Sequence, residues 1–170
     1  MEPRCAVVLF PPAPAVSAAE EFRRIHDPLF HRIPAHVAVV SAFGWRGRRE
    51  AEKRIGRALD DVRPGAFPAT LCGVGRTKDG VVFVKVEEGA PRLSRLHEAI
   101  TDALGPPPDL EIPPFVPVLG VGRTPGAAEA AFLQRQVAGH LPPARFSVET
   151  LSLVEEDGRG IWHERARLPL

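Results

Sequence analysis

At 170 residues, 44% hydrophobic and 25% charged, the chain has the make-up of one globular domain able to bury roughly 70% of its unfolded surface, and it excludes a disordered or fibrous protein. A net charge of +1 excludes a global field that recruits polyanions, and the absence of Tyr with only 6% aromatics excludes a broad stacking platform for single-stranded nucleic acid. Two cysteines, Cys5 and Cys72, are too few for a disulfide framework or a structural zinc site.

The cysteines fall in apolar runs and are expected as reduced thiols, which fits a cytoplasmic protein. Nineteen of the 22 cations are Arg, the better fork for phosphate, but the wealth of Ala, Gly and Pro makes compositional bias the simpler cause. The apolar run 5–10 is too short for a signal or membrane-spanning segment.

In chain order, residues 5–10 (CAVVLF) predict a strand stopped by Pro11, Pro12 and Pro14. Ser17, with Glu20 three residues on, has the spacing of a capping box for a helix reaching about Asp27, with Ala18, Phe22 and Ile25 as its apolar stripe. Residues 36–43 predict a β-branched strand. Residues 46–62 predict an amphipathic helix with Ala51, Ile55, Ala58, Leu59 and Val62 on one side. Strands over 67–76 and 81–86 flank Lys78-Asp79-Gly80, a hairpin signal. Pro91 opens a third helix carrying Leu93, Leu96, Ile100 and Leu104 and ending at Gly105, and residues 106–114 read as a stiff extended connector. A strand over 115–121 follows, then a helix capped by Thr124 with Pro125 at its first position, running to about His140. Strands over 145–154 and 161–168, joined by a loop containing Asp157-Gly158, close the chain.

The order β-α-β-α-β-β-α-β-α-β-β holds two similar β-α halves plus hairpins, which predicts one α+β domain over residues 1–170 with two lobes meeting at a cleft. Residues 71–77 (LCGVGRT) and 118–124 (VLGVGRT) echo each other, as a duplication would, and as two strands ending in similar turns also would.

Two stretches carry chemistry. The first runs from Asp27-Pro28 to Ile33-Pro34-Ala35-His36-Val37-Ala38-Val39, and the second is Phe115-Val116-Pro117-Val118-Leu119-Gly120-Val121-Gly122-Arg123. Together with the hairpin at 81–84, the Leu96-His97 helix and the closing segment 151–162, they resemble the two-histidine (2H) phosphoesterases, the 2'-5' RNA ligase-like family, over nearly the whole chain. The resemblance implies two antiparallel-rich sheets around a central cleft with helices outside, and a His-x-Thr/Ser strand motif in each lobe. Residues at i and i+2 of a strand share a face, so each motif puts an imidazole and a hydroxyl into the cleft. One imidazole activates water and the other protonates the departing ribose oxygen of a cyclic phosphate, without metal or cofactor.

Carried over residue by residue, only His36 matches. Ala38 stands in the seat of the first hydroxyl, Val118 in that of the second histidine and Gly120 in that of the second hydroxyl. One general acid or base is worth typically about 10²–10⁴-fold, so a residual activity at least roughly a hundredfold below an intact site is expected. Arg123 matches the Gly-Arg that follows the second motif, and Arg76 ends the echo segment. Either could face phosphate or be a solvated strand-end charge. His31 is the one other histidine placed to substitute, while His26, His97, His140 and His163 read as surface or helix-end residues. His26, His31 and His36 recur every five residues, which suits no metal site. The cationic series Arg46, Arg48, Arg49, Lys53, Arg54 and Arg57, interleaved with Glu50 and Glu52, reads as a solvated helix face, with RNA backbone contact as the minority reading.

The expectation is therefore a divergent family member, impaired for cyclic phosphodiester hydrolysis, monomeric, and able to hold a nucleotide or RNA end in its cleft. The alternatives are an active phosphodiesterase using His36 with a substitute group, and a non-catalytic module that binds a protein partner through an apolar cleft.

Overall fold

The β-branched run after Arg4 forms β1 (Arg4–Leu9) in the computed structural model, which describes residues 4–44, 47–105 and 114–170. The elements that follow are α1 (Ala13–His26), β2 (Val37–Gly44), α2 (Arg48–Val62), β3 (Phe67–Arg76), β4 (Val81–Val86), α3 (Ala90–Leu104), β5 (Val118–Arg123), α4 (Ala127–His140), β6 (Ala144–Val148), β7 (Thr150–Glu156) and β8 (Trp162–Pro169). Residues 106–113 of the expected connector and the expected helix start at Arg46 lie outside the described residues.

All strand pairs are antiparallel and form one hydrogen-bonded sheet in the order β6-β3-β4-β5-β2-β1-β7-β8. Its halves meet at β2 and β5 through one registered pair, Val37↔Leu119, so the two lobes expected from the sequence are halves of a continuous curled sheet. Helices α2 and α3 pack together, with α3 on β2. Helix α4 packs on β3 and β4, and α1 packs on β5 and β6. Although α1 lies between β1 and β2 in sequence, it therefore covers the opposite half of the sheet. One continuous core of Val, Leu, Ile and Ala side chains fills the space under the helices.

Four local expectations are corrected. Helix α1 begins at Ala13, not at a Ser17 cap, because Pro14 lies in its first turn, where its missing N–H costs nothing. Its buried residues are Val16, Ala19 and Arg23; of the expected stripe, Phe22 packs half-buried against the core, whereas Ile25 is 66% exposed. Thr124 does not cap α4. Its hydroxyl donates to the Gly80 and Gly126 carbonyls, and Gly126 precedes the helix. The strand expected over 145–154 is two strands, β6 on β3 and β7 between β1 and β8. The break has a signal in the pattern, since the apolar alternation runs through Phe146 and Val148 and then resumes out of phase at Leu151 and Leu153.

The segment between α1 and β2 is held by a buried cation. Arg23, 1% exposed, donates from Nε to Asp27 Oδ2 (2.7 Å), from Nη1 to both Glu20 carboxylate oxygens (3.0 and 3.1 Å) and from Nη2 to the Ile33 carbonyl (2.8 Å). Glu20 Oε1 also accepts the Ala35 amide (2.6 Å), and Asp27 Oδ1 accepts the Leu29 amide (2.8 Å). Both ends of the segment are thereby fixed to one helix face, and β2 enters the sheet in a set register.

Arg23→Ala should destabilise the fold by about 3–5 kcal/mol, because it strands two carboxylates and a carbonyl that share one partner; urea denaturation reads it. Glycine positions give a second check. A Cβ at Gly122 would sit 2.8 Å from His26 Cβ and from Leu133 Cδ2, whereas a Cβ at Gly120 meets nothing within 4 Å. Gly122→Ala should cost about 1–3 kcal/mol in the same denaturation measurement, and Gly120→Ala should stay within about 0.5 kcal/mol of the parent.

Candidate active-site cleft

Antiparallel pairing of Val37 with Leu119 brings His36 to the level of Gly120 and sets Ala38 across from Val118. Val37, Val39 and Leu119 are fully buried under the helices, so the alternate positions 36, 38, 118 and 120 turn to the opposite, open face. All four line one pocket of 230 Å³, together with Arg23, Asp27, Pro28, Leu29, Val81, Gly122 and Arg123. Residues separated by 82 positions in the chain are thus gathered around the seam where the two half-sheets join.

His36 is half-buried, and its Nδ1 lies 2.8 Å from the Pro34 carbonyl. A carbonyl only accepts, so Nδ1 carries the proton and Nε2 presents a lone pair. Burial holds the imidazole below its ordinary pKa; the Pro34 hydrogen bond opposes this, the Arg23 charge adds to it, and Asp27 and Glu20 pull weakly the other way. Phe10 stands edge-on to the ring, with centroids 6.4 Å apart. The result is a neutral, oriented imidazole at neutral pH, suited to taking a proton.

The other three seats hold no titratable group. Ala38 and Val118 give the floor an apolar surface, and Gly120 leaves open space where a side chain would stand. Arg123 is the cation at the pocket rim; its side chain is 57% exposed and its guanidinium lies 3.8 Å from Asp79. Arg76 is elsewhere, in a hollow with Thr77, Lys78, Ala127 and Gln134, donating to the Gln134 side-chain carbonyl. His31 is exposed on the loop before β2, edge-on to Phe30 at 4.9 Å, and does not line the pocket.

The remaining histidines have local partners. His97 donates to the Val39 carbonyl and stacks on Phe115 at 4.3 Å. His140 donates to Gln136 and His163 pairs with Asp157, which it and two backbone amides hold down at a pKa of about 2. His26 instead lines a hollow with Ile25 and Phe132. On α2, Arg54 pairs with Glu50, an ordinary exposed ion pair.

The residues missed from the sequence are Arg23 and Asp27 as pocket walls; Lys85, opposite Val118 in register, lies over Gly73 and Gly75 of β3 and does not line the pocket. The signal for the first two was present: Glu20, Arg23 and Asp27 recur at three- and four-residue spacing on one helix face.

The model of the 2'-5' RNA ligase superfamily matches residues 10–160. None of the curated proteins matches the chain by sequence. Among solved structures, E. coli LigT complexed with 3'-AMP superposes with a TM-score of 0.70 at 18% identity, covering 100% of this chain and 99% of LigT. A second phosphoesterase gives 0.69 at 17% identity, covering 99% and 98%. Usb1 of Kluyveromyces marxianus gives 0.54 at 18% identity, covering 98% of each chain. Identities this low show a common fold, the 2H phosphoesterase fold, and the family match spans most of the chain. The chain belongs to the 2'-5' RNA ligase superfamily.

Proposed function

We propose that this protein is a divergent 2H phosphoesterase whose cleft takes a nucleotide or an RNA end but whose proton relay for opening a cyclic phosphate is broken. The observation that carries the reading is the pocket itself: His36, Ala38, Val118 and Gly120 surround one space, so the aliphatic and absent side chains occupy the seats where the resemblance places catalytic groups. His36 can take a proton from water through Nε2. On the far side Val118 can neither give nor take one, so a departing ribose oxygen would leave as an unprotonated alkoxide.

Ligand binding does not need the second imidazole. Arg123 at the rim supplies a guanidinium fork for a phosphate, and its 3.8 Å approach to Asp79 is loose enough to be exchanged for a tighter partner. Relatives of the same fold have been crystallised with 3'-AMP and ATP (LigT) and with uridine monophosphate (Usb1), which supports a nucleotide-sized ligand. An active enzyme with His31 as the substitute is disfavoured by its exposed position outside the pocket.

Turnover of 2',3'-cyclic nucleotides should lie at least about a hundredfold below that of an intact relative assayed alongside. Rebuilding the site with Ala38→Thr, Val118→His and Gly120→Thr should raise it, because Gly120 has ordinary backbone geometry and room for a side chain. Turnover within about tenfold of the relative, abolished by His36→Ala, would refute the reading. The imidazole gives an independent check by linkage. Since its folded pKa is lowered, the unfolded chain binds the proton first as pH falls below about 6.5, so stability is full above that value and declines beneath it. An NMR titration should place the His36 midpoint below 6.5, and His36→Gln should flatten that part of the stability profile. An unshifted midpoint would contradict the buried, oriented ring.

A further inference from the structure

A second cavity opens on the same side of the sheet, beyond His36 and toward β8. Its volume of 640 Å³ is within the usual range for small-molecule sites of about 300–1,000 Å³. Pro34 and Ala35, the step that delivers His36, form one wall, and Phe10, whose edge meets the His36 ring, lies between the two spaces. Phe10 and Trp162 are both half-buried and pack on a small apolar cluster of Ala6, Val8, Ile33 and Val154. They present two aromatic surfaces to the cavity.

Its far end is polar, with a buried hydroxyl behind a partly exposed carboxylate and an exposed guanidinium. Ser152 is 5% exposed, and its hydroxyl donates to Glu164 Oε1 at 2.6 Å, while Arg167 Nε donates to Glu164 Oε2 at 3.2 Å. The serine, and more weakly the arginine, hold the carboxyl below its usual range, so it stands ionised at neutral pH. A carboxylate accepting one bond on each oxygen keeps further lone pairs, and a guanidinium with one N–H used keeps four more donors. The cavity thus offers aromatic walls ending in an acceptor pair beside a donor.

We infer that this cavity is a nucleobase site selective for guanine, with the base against Phe10 and Trp162, its N1–H and N2–H donating to Glu164 and its O6 accepting from Arg167. Guanine is the common base that presents two adjacent N–H donors next to a carbonyl. Adenine and cytosine turn a bare ring nitrogen toward a carboxylate, and uracil offers a single N–H. The inference rests on the nucleotide reading of the cleft, since the base cavity lies next to the space where the phosphate would sit, and it names the substrate class of that site: a nucleotide or RNA end bearing guanine.

Nucleosides test the cavity without the phosphate. Titrated into the intact protein and followed by NMR, guanosine should bind at least tenfold more tightly than adenosine or cytidine and should shift the Trp162 indole Nε1–H, identified with Trp162→Phe. Glu164→Gln should weaken guanosine at least tenfold and erase the preference. Arg167→Met, at an exposed side chain whose loss leaves the fold intact, should weaken it severalfold. Guanosine binding no better than adenosine, or undiminished in both variants, would overturn the inference. Cytidine 2',3'-cyclic phosphate separates the two proposals. If it binds while guanosine shows no preference, the guanine site falls and the phosphate reading stands. If guanosine is selected and the cytidine ligand fails to bind, the guanine site stands and the phosphate reading falls.

Discussion

The guanidinium of Arg23 is 1% exposed, and a cation so withdrawn from water is stable only when oxygen surrounds it. Glu20 supplies that oxygen from the same helix, Asp27 from the residue that ends it, and the Ile33 carbonyl from the loop. The consequence reaches beyond α1. Because α1 packs on the half-sheet that contains β5 while the loop it holds leads into β2, this one charge fixes how the two halves of the molecule are threaded together. A hydrophobic residue of similar size could fill the volume but could not hold the carboxylates or the turn at Asp27-Pro28.

From that constraint the cleft follows. With β2 held in register, the pair Val37↔Leu119 acts as the local axis of the site, and residues on either side of it alternate between core and cleft. The core positions keep the aliphatic side chains that any such sheet needs. The cleft positions carry little packing demand: a Cβ at Gly120 would meet nothing within 4 Å, and His36 is held by its hydrogen bond to the Pro34 carbonyl. The packed core and the cleft occupy opposite faces of the same two strands, so a substitution in the cleft need not disturb the core.

Much of this could be read from the sequence because local signals agreed with tertiary ones. The β-branched runs, the Lys78-Asp79-Gly80 hairpin and the apolar stripe of α2 are satisfied by neighbours close in sequence or by one buried face. The differences have two causes: Pro14 and the phase change after Val148 are local signals, whereas Arg23 and Thr124 have partners outside their own elements. The sequence of α1 reads as a stripe of Ala18, Phe22 and Ile25 because burying Arg23 looks forbidden until Ile33 and the two carboxylates are seen around it. Thr124 resembled a helix cap, but its hydroxyl is turned toward Gly80, 44 residues earlier. Arg76 and Arg123 end similar segments, yet the strand of the second lies at the seam and the first meets α4. Motif spacing points to His36; the aromatic and carboxylate cavity beside it is assembled from the turn after β1, α1, the Pro34-Ala35 step, β7 and β8, and has no contiguous signature.

On the function proposed above, the cleft binds a nucleotide whose cyclic phosphate it cannot efficiently open. Phosphorus-31 NMR of a 2',3'-cyclic nucleotide mixed with stoichiometric protein reads both parts in one sample. The expected result is a cyclic-phosphate resonance that shifts or broadens on binding and persists, with little ring-opened monoester over many hours. Rapid appearance of monoester, or a resonance identical to that of the free ligand, would contradict it.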